Sequence, residues 1–132
     1  MKRFAVTLLL LLFLLAFAGC NRITINYKGN ATLNFSGNSL GDTTDLTQIL
    51  TEEETEKVEA YLSSAEYVPG GVACPFDSET SITFGEQIFA ISTDDCPTVL
   101  LVGSNQYYRM SEEGRNYIVS LFEKYVGYFP YP

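Results

Sequence analysis

Three cysteines, four crowded carboxylates and a complete lack of histidine delimit the chemistry open to this sequence. Cys74 and Cys96 bracket the stretch CPFDSETSITFGEQIFAISTDDC, two short alternating runs separated by Gly85-Glu86-Gln87. The turn is centred near Glu86, twelve residues after Cys74 and ten before Cys96. If the runs pair as a hairpin, the cysteines arrive within about two residues of opposition, close enough to bridge. The spacing therefore predicts a hairpin clasped at its open end by a disulfide. The same register gathers Asp77, Glu79, Asp94 and Asp95 around the clasp. Like charges facing across a ladder repel unless a cation lies between them, and an oxygen-rich cluster is what Ca²⁺ prefers. The spacing is not that of an EF-hand, and nothing suggests the cleft that a glycosidase carboxylate pair requires.

Without histidine the chain lacks the usual general base and the commonest metal ligand. No Ser-x-x-Lys pattern is present, and Pro69-Gly70-Gly71 reads as a turn, not a phosphate loop. Zinc would need thiol or imidazole ligands that a disulfide-bonded domain does not have to spare. The expectation is of no catalytic residue and no cofactor, with a small enzyme ranked last among the functional classes.

The chain opens with Met1-Lys2-Arg3 and continues through an apolar run, Phe4 to Ala18, interrupted only by Thr7. A basic start, an apolar core and small residues at the end describe a secretory signal over 1–19, too short for a spanning helix. Leu15-Ala16-Phe17-Ala18-Gly19-Cys20 resembles the lipobox of bacterial lipoproteins, with Phe17 where that family usually carries an aliphatic residue. The resemblance implies cleavage before Cys20, a diacylglyceryl group on its thiol and a fatty acid such as palmitate on the new amine. It implies a location, the extracytoplasmic side of a membrane with Cys20 in the bilayer, and no activity. Cysteine parity points the same way, since Cys74 paired with Cys96 leaves Cys20 over, and lipidation accounts for it. The alternative is soluble secretion, because Ala16-x-Ala18 also suits ordinary signal peptidase.

Taking away Lys2 and Arg3 leaves six basic residues against sixteen acidic ones, a net charge of −10 from Cys20 onward. A nucleic-acid partner is excluded on that balance, because phosphate binding needs clustered Lys and Arg.

The elements that would carry these residues read as α+β. Ile23, Ile25, Tyr27 and then Ala31, Leu33, Phe35 alternate about Lys28-Gly29-Asn30, predicting an N-terminal hairpin over about 22–36. A polar tether over the same residues is the other reading. Residues 36–45 carry no periodicity and read as a loop. Thr51-Glu52-Glu53-Glu54 is a capping box opening a helix over about 52–65, striped by Val58, Tyr61, Leu62 and Ala65. A four-stranded antiparallel meander is expected over about 80–110, with a turn at Gly103-Ser104-Asn105. Ser111 caps a second helix over about 112–126, striped by Ile118, Leu121, Phe122 and Tyr125. Residues 20–47 would form an anchored hairpin and linker, and 48–132 the clasped domain.

A three-residue loop at 85–87 puts Ile82, Phe84, Ile88 and Ala90 on the helix side and turns Phe89 and Ile91 outward. With Tyr108 and the aromatic tail residues Phe129 and Tyr131, these form the candidate partner surface. The functional expectation is a non-catalytic surface module contacting a protein or envelope component. An inhibitor of an extracellular or periplasmic enzyme, acting through 36–45 or 103–105, is the alternative.

Overall fold

The structure is a computed structural model that describes residues 21–39 and 42–130. The signal segment and Cys20, and Tyr131 at the other end, lie outside the described residues. These residues form an α+β fold: one antiparallel sheet of seven strands with two helices. In chain order the elements are β1 (Thr32–Ser39), β2 (Asp42–Ile49), α1 (Glu52–Ser63), β3 (Glu66–Val68), β4 (Phe76–Phe84), β5 (Gln87–Ser92), β6 (Thr98–Leu101), β7 (Gln106–Arg109) and α2 (Glu112–Val126). The sheet order is β2-β1-β4-β5-β6-β7-β3. The expected four strands are present as β4 to β7, but β1, β2 and β3 extend the sheet on both sides.

Register explains which face is buried. Phe84 pairs with Gln87, so the β4–β5 turn has two residues, Gly85-Glu86, and not three. Gly85 has φ +60°, and a glycine with positive φ at the first central position suits the tight turns that match strand twist. One residue less in the loop moves every side chain of β5 to the opposite face. Ile82, Phe84, Phe89 and Ile91 therefore share the helix side, continued by Leu33, Phe35, Val99 and Tyr108. All eight are buried, and they pack with Val58 and Leu62 of α1 and Ile118, Leu121 and Phe122 of α2.

The N-terminal hairpin is not formed. Residues 22–31 are irregular, and β1 pairs with β2 across its whole length, from Thr32↔Ile49 to Ser39↔Asp42. Of the residues read as a loop, 36–39 and 42–45 thus belong to paired strands. The polar groups around the expected Lys28-Gly29-Asn30 loop are engaged elsewhere. Asn30 Nδ2 donates to the Leu50 carbonyl at 2.8 Å, and the Ala31 N–H donates to Thr55 Oγ1 at 3.0 Å. β1 has gained two partners, β2 and β4, in place of one. Within the described part of 20–47, Ile23, Ala31, Leu33 and Phe35 belong to the common core.

The two helices run antiparallel and are fastened at both ends. Near the start of α2, Gly114 lies against the Tyr61 ring so closely that a Cβ there would come within 2.9 Å of it. Tyr61 also donates to Glu113 Oε1 at 3.1 Å. At the other end the capping box forms as expected: Thr51 Oγ1 accepts from the Glu54 N–H, and the Glu54 carboxylate accepts from the Thr51 N–H at 3.0 Å. That carboxylate also accepts from Lys124 Nζ at 2.6 Å and from the Tyr125 hydroxyl at 2.8 Å. Burial alone would raise its pKa. The bonds from Lys124, the Thr51 backbone and Tyr125, with the Lys124 charge, outweigh burial and lower it from 4.5 to about 2.

A carboxyl whose folded pKa lies below its unfolded one stabilises the fold above the unfolded value and loses that contribution as pH falls through the folded one. The shift corresponds to at most about 3 kcal/mol, reduced by solvent screening at the half-exposed Lys124. Glu54→Gln should therefore lower the melting temperature most above pH 4.5, with the gap to wild type closing toward pH 2. Thermal melts across that range check it, and a gap independent of pH would refute the assignment.

Candidate functional site

The clasp forms. Cys74 and Cys96 are disulfide-bonded across 22 residues, with Cα atoms 6.1 Å apart. Its place in the fold differs from the end of a simple hairpin. Residues 69–75 carry the chain from the β3 edge back to β4, in the middle of the sheet, passing β7, β6 and β5. The Phe76 ring meets the Tyr107 ring, centroids 5.6 Å apart, on the face away from the helices. Beneath this crossover Ala90, Ser92 and Thr98 are buried although they face away from the helical layer. The disulfide pins the end of the crossover to the β5–β6 loop.

Asp94 shapes that loop. Its carboxylate accepts from Ser92 Oγ at 2.6 Å and from the Cys96 N–H at 2.8 Å, and its carbonyl accepts from the Arg115 guanidinium. The Ser92 bond chiefly, together with the Cys96 N–H and the Arg115 charge, holds the carboxyl below its usual range against the opposing effect of burial. Arg115 also lies over the Phe129 ring, 5.6 Å from its centroid.

The expected acidic cluster does not assemble. Asp77 accepts from the Glu79 N–H at 2.9 Å, and Asp77, Glu79 and Asp95 are exposed. Among the described residues no three of these four carboxylates come within 4.8 Å of one another. The potential ligand atoms that do converge are those of Cys74, Asp94 and Cys96, and both sulfurs are spent in the disulfide. The dispersal has a cause in β4. Between the pairs Phe76↔Ser92 and Ser81↔Ala90, four positions on β4 oppose one on β5, so residues 77–80 bulge out of the ladder.

The candidate partner surface is likewise corrected. Phe89, Ile91, Tyr108 and Phe129 are all buried. The two-residue turn sends Phe89 and Ile91 inward, and Phe129 folds back onto Phe122 with ring centroids 5.5 Å apart. Tyr131 lies outside the described residues.

What the sequence reading missed is the outer edge. Among the described residues β2 ends the sheet order and pairs on one side only, over eight residues. β1 is paired with β4 only through Thr32, Leu33 and Asn34, so the rest of the β1–β2 hairpin projects past the bulge. Beside it lies an open hollow of about 240 Å³ lined by Asn34, Phe35, Ser36, Asp45, Leu46, Thr47 and Glu79. Ser36 Oγ donates to Asp45 across the hairpin at 2.5 Å, and Ile49 at the end of β2 is 65% exposed. The signal that could have revealed this hairpin is the polar β-branched content of 42–47, which composition alone assigns to a loop.

No helix among the described residues is long and apolar enough to cross a membrane. Comparison with protein-family models, with characterised proteins and with solved structures finds no match.

In the chain-entropy picture a bridge closing a loop of this length contributes about 3 kcal/mol. Cys74→Ala with Cys96→Ala should lower the melting temperature and expose residues 69–75 to proteolysis before the rest of the chain. Mass mapping of the first cleavage checks this, and an unchanged melt with no cut in the crossover would contradict it.

Proposed function

We propose that the protein is an extracytoplasmic lipoprotein, anchored in a membrane through Cys20, that works without catalysis by holding another protein or envelope component. The observation that carries the interaction is the open edge of β2. An eight-residue strand bonded on one side leaves a row of backbone donors and acceptors outward, the arrangement to which an extended segment adds as a further strand. Ile49 supplies an exposed apolar contact at one end, and Thr47 and Asp45 supply polar ones beside the hollow. The net charge of −10 favours a partner segment that carries basic residues. The anchor itself rests on the lipobox-like ending at Cys20 and on the pairing of the other two cysteines.

The projecting part of the β1–β2 hairpin favours a second reading, an inhibitor that presents this hairpin to an extracellular or periplasmic enzyme. Either way the same strand makes the contact.

Lysine on an edge strand opposes pairing with a further strand. Thr47→Lys with Ile49→Lys should reduce recovery of a crosslinked envelope partner about tenfold, equivalent to ~1.4 kcal/mol of binding. The variant should melt as wild type does, since residue 47 is exposed and Ile49 largely so. Undiminished recovery with the fold intact would sink the edge as the binding element.

A further inference from the structure

The first described residues leave almost no tether between the anchor and the domain. Ile23 is 5% exposed and part of the common core. Cys20 stands three residues before it, and three extended residues span at most about 11 Å. The intervening Asn21 and Arg22 already line a surface hollow of about 390 Å³ with Ala65, Glu66, Tyr67 and Pro69, beside β3. From there the chain stays attached: the Thr24 carbonyl accepts from Gln87 Nε2 at 3.0 Å, and Ala31 is bonded to Thr55.

From this we infer that the β3 edge of the sheet rests on the phospholipid headgroup layer, so that the domain is held flush to the bilayer in one orientation. The inference deepens the anchoring reading and depends on it. Lipid on Cys20 starts at the hydrocarbon boundary, and each headgroup layer is ~5–8 Å deep. With at most about 11 Å of chain from Cys20 to a core residue, the hollow and its rim lie within headgroup reach.

The chemistry of that edge fits. Arg22 and Arg109 are exposed, and Arg109 stands opposite Glu66 in the β3–β7 ladder. Guanidinium groups bind phosphate oxygens in pairs. Of the other four basic residues of the mature chain, Lys57 and Lys124 are paired with Glu53 and Glu54, Arg115 is buried, and Lys28 is exposed in the irregular segment before β1. An acidic domain thus carries two of its six cations at the edge its anchor emerges from. Tyr67, 36% exposed beside them, has the apolar body and polar tip that settle at membrane interfaces. At a strand spacing of about 4.8 Å, six intervals place the open β2 edge roughly 29 Å farther from the lipid.

The sequence contains no tryptophan, so a single introduced one reports its own surroundings. The full-length protein would be expressed with its own signal as two variants, Tyr67→Trp and Ile49→Trp. Each would be reconstituted into phosphatidylethanolamine–phosphatidylglycerol vesicles, with the N-terminal peptide mass measured on the same samples. With acylated Cys20, the Tyr67→Trp emission should be quenched by a headgroup-attached spin label and shielded severalfold from aqueous acrylamide. Ile49→Trp should show the reverse. Pro69→Trp, on the exposed rim of the same hollow, is the replacement if Tyr67→Trp disturbs the Tyr67–Tyr108 ring contact. Equal acrylamide access at both edges in acylated protein would overturn the flush orientation and leave the anchor standing. An unmodified Cys20 would overturn the anchor and the orientation together.

Discussion

The Glu54 carboxylate is the point on which the helix pair of this protein closes. It completes the N-cap of α1, receives Lys124 and Tyr125 from the far end of α2, and is almost wholly buried while doing so. A charge in that position is tolerated because its bonds to Lys124, Tyr125 and the Thr51 backbone favour the ionised form more than burial penalises it. The next residue, Thr55, accepts from the Ala31 N–H and so sets the start of β1. One helical turn thereby fixes the helix pair, the first strand and, through residues 24–31, the path of the chain toward Cys20. At the opposite end Gly114 lets α2 approach the Tyr61 ring. Helices held at both ends cannot slide, which keeps the sheet face beneath them in a single packing.

The other layer is held by a different device. The crossover at 69–75 covers the central strands on the face without helices, and it has few regular hydrogen bonds of its own. The bond from the Thr93 N–H to the Pro75 carbonyl, the Phe76–Tyr107 contact and the disulfide are what keep it there. A domain of this size buries too little surface for such a segment to be left to weak contacts alone. The disulfide joins the crossover to the loop shaped by Asp94, which Arg115 of α2 also grips, so the two layers meet at that loop.

How far the sequence could be read depended on whether a signal was local. The capping box at Thr51–Glu54, the Ser111 cap and both helix stripes were legible, because each is decided within one or two turns. Cys74 and Cys96 could be paired from spacing alone. Strand faces could not. Whether Gly85-Glu86 or Gly85-Glu86-Gln87 forms the turn differs by one residue, and that residue decides whether Phe89 and Ile91 are core or surface. The N-terminal alternation correctly marked Ile23, Ala31, Leu33 and Phe35 as apolar and inward, whereas Tyr27 of the same alternation is exposed. It assigned them to a local hairpin, because nothing near Leu33 reveals that its partner is Ile82. The bulge at 77–80, which disperses the carboxylates, has no glycine or proline to announce it.

The two edges of the sheet are unequal. β3 is three residues long and has Asn21 and Arg22 beside it, whereas β2 is eight residues long and, among the described residues, bonded on one side only. A sheet that grows into a fibre through a single repeated contact must join one kind of edge to the other, and here the short edge offers too few rungs to an eight-residue strand. Two copies that met edge to edge through β2, about a twofold axis, would form a union that closes on itself. The asymmetry leaves a long strand open while opposing head-to-tail growth of the sheet.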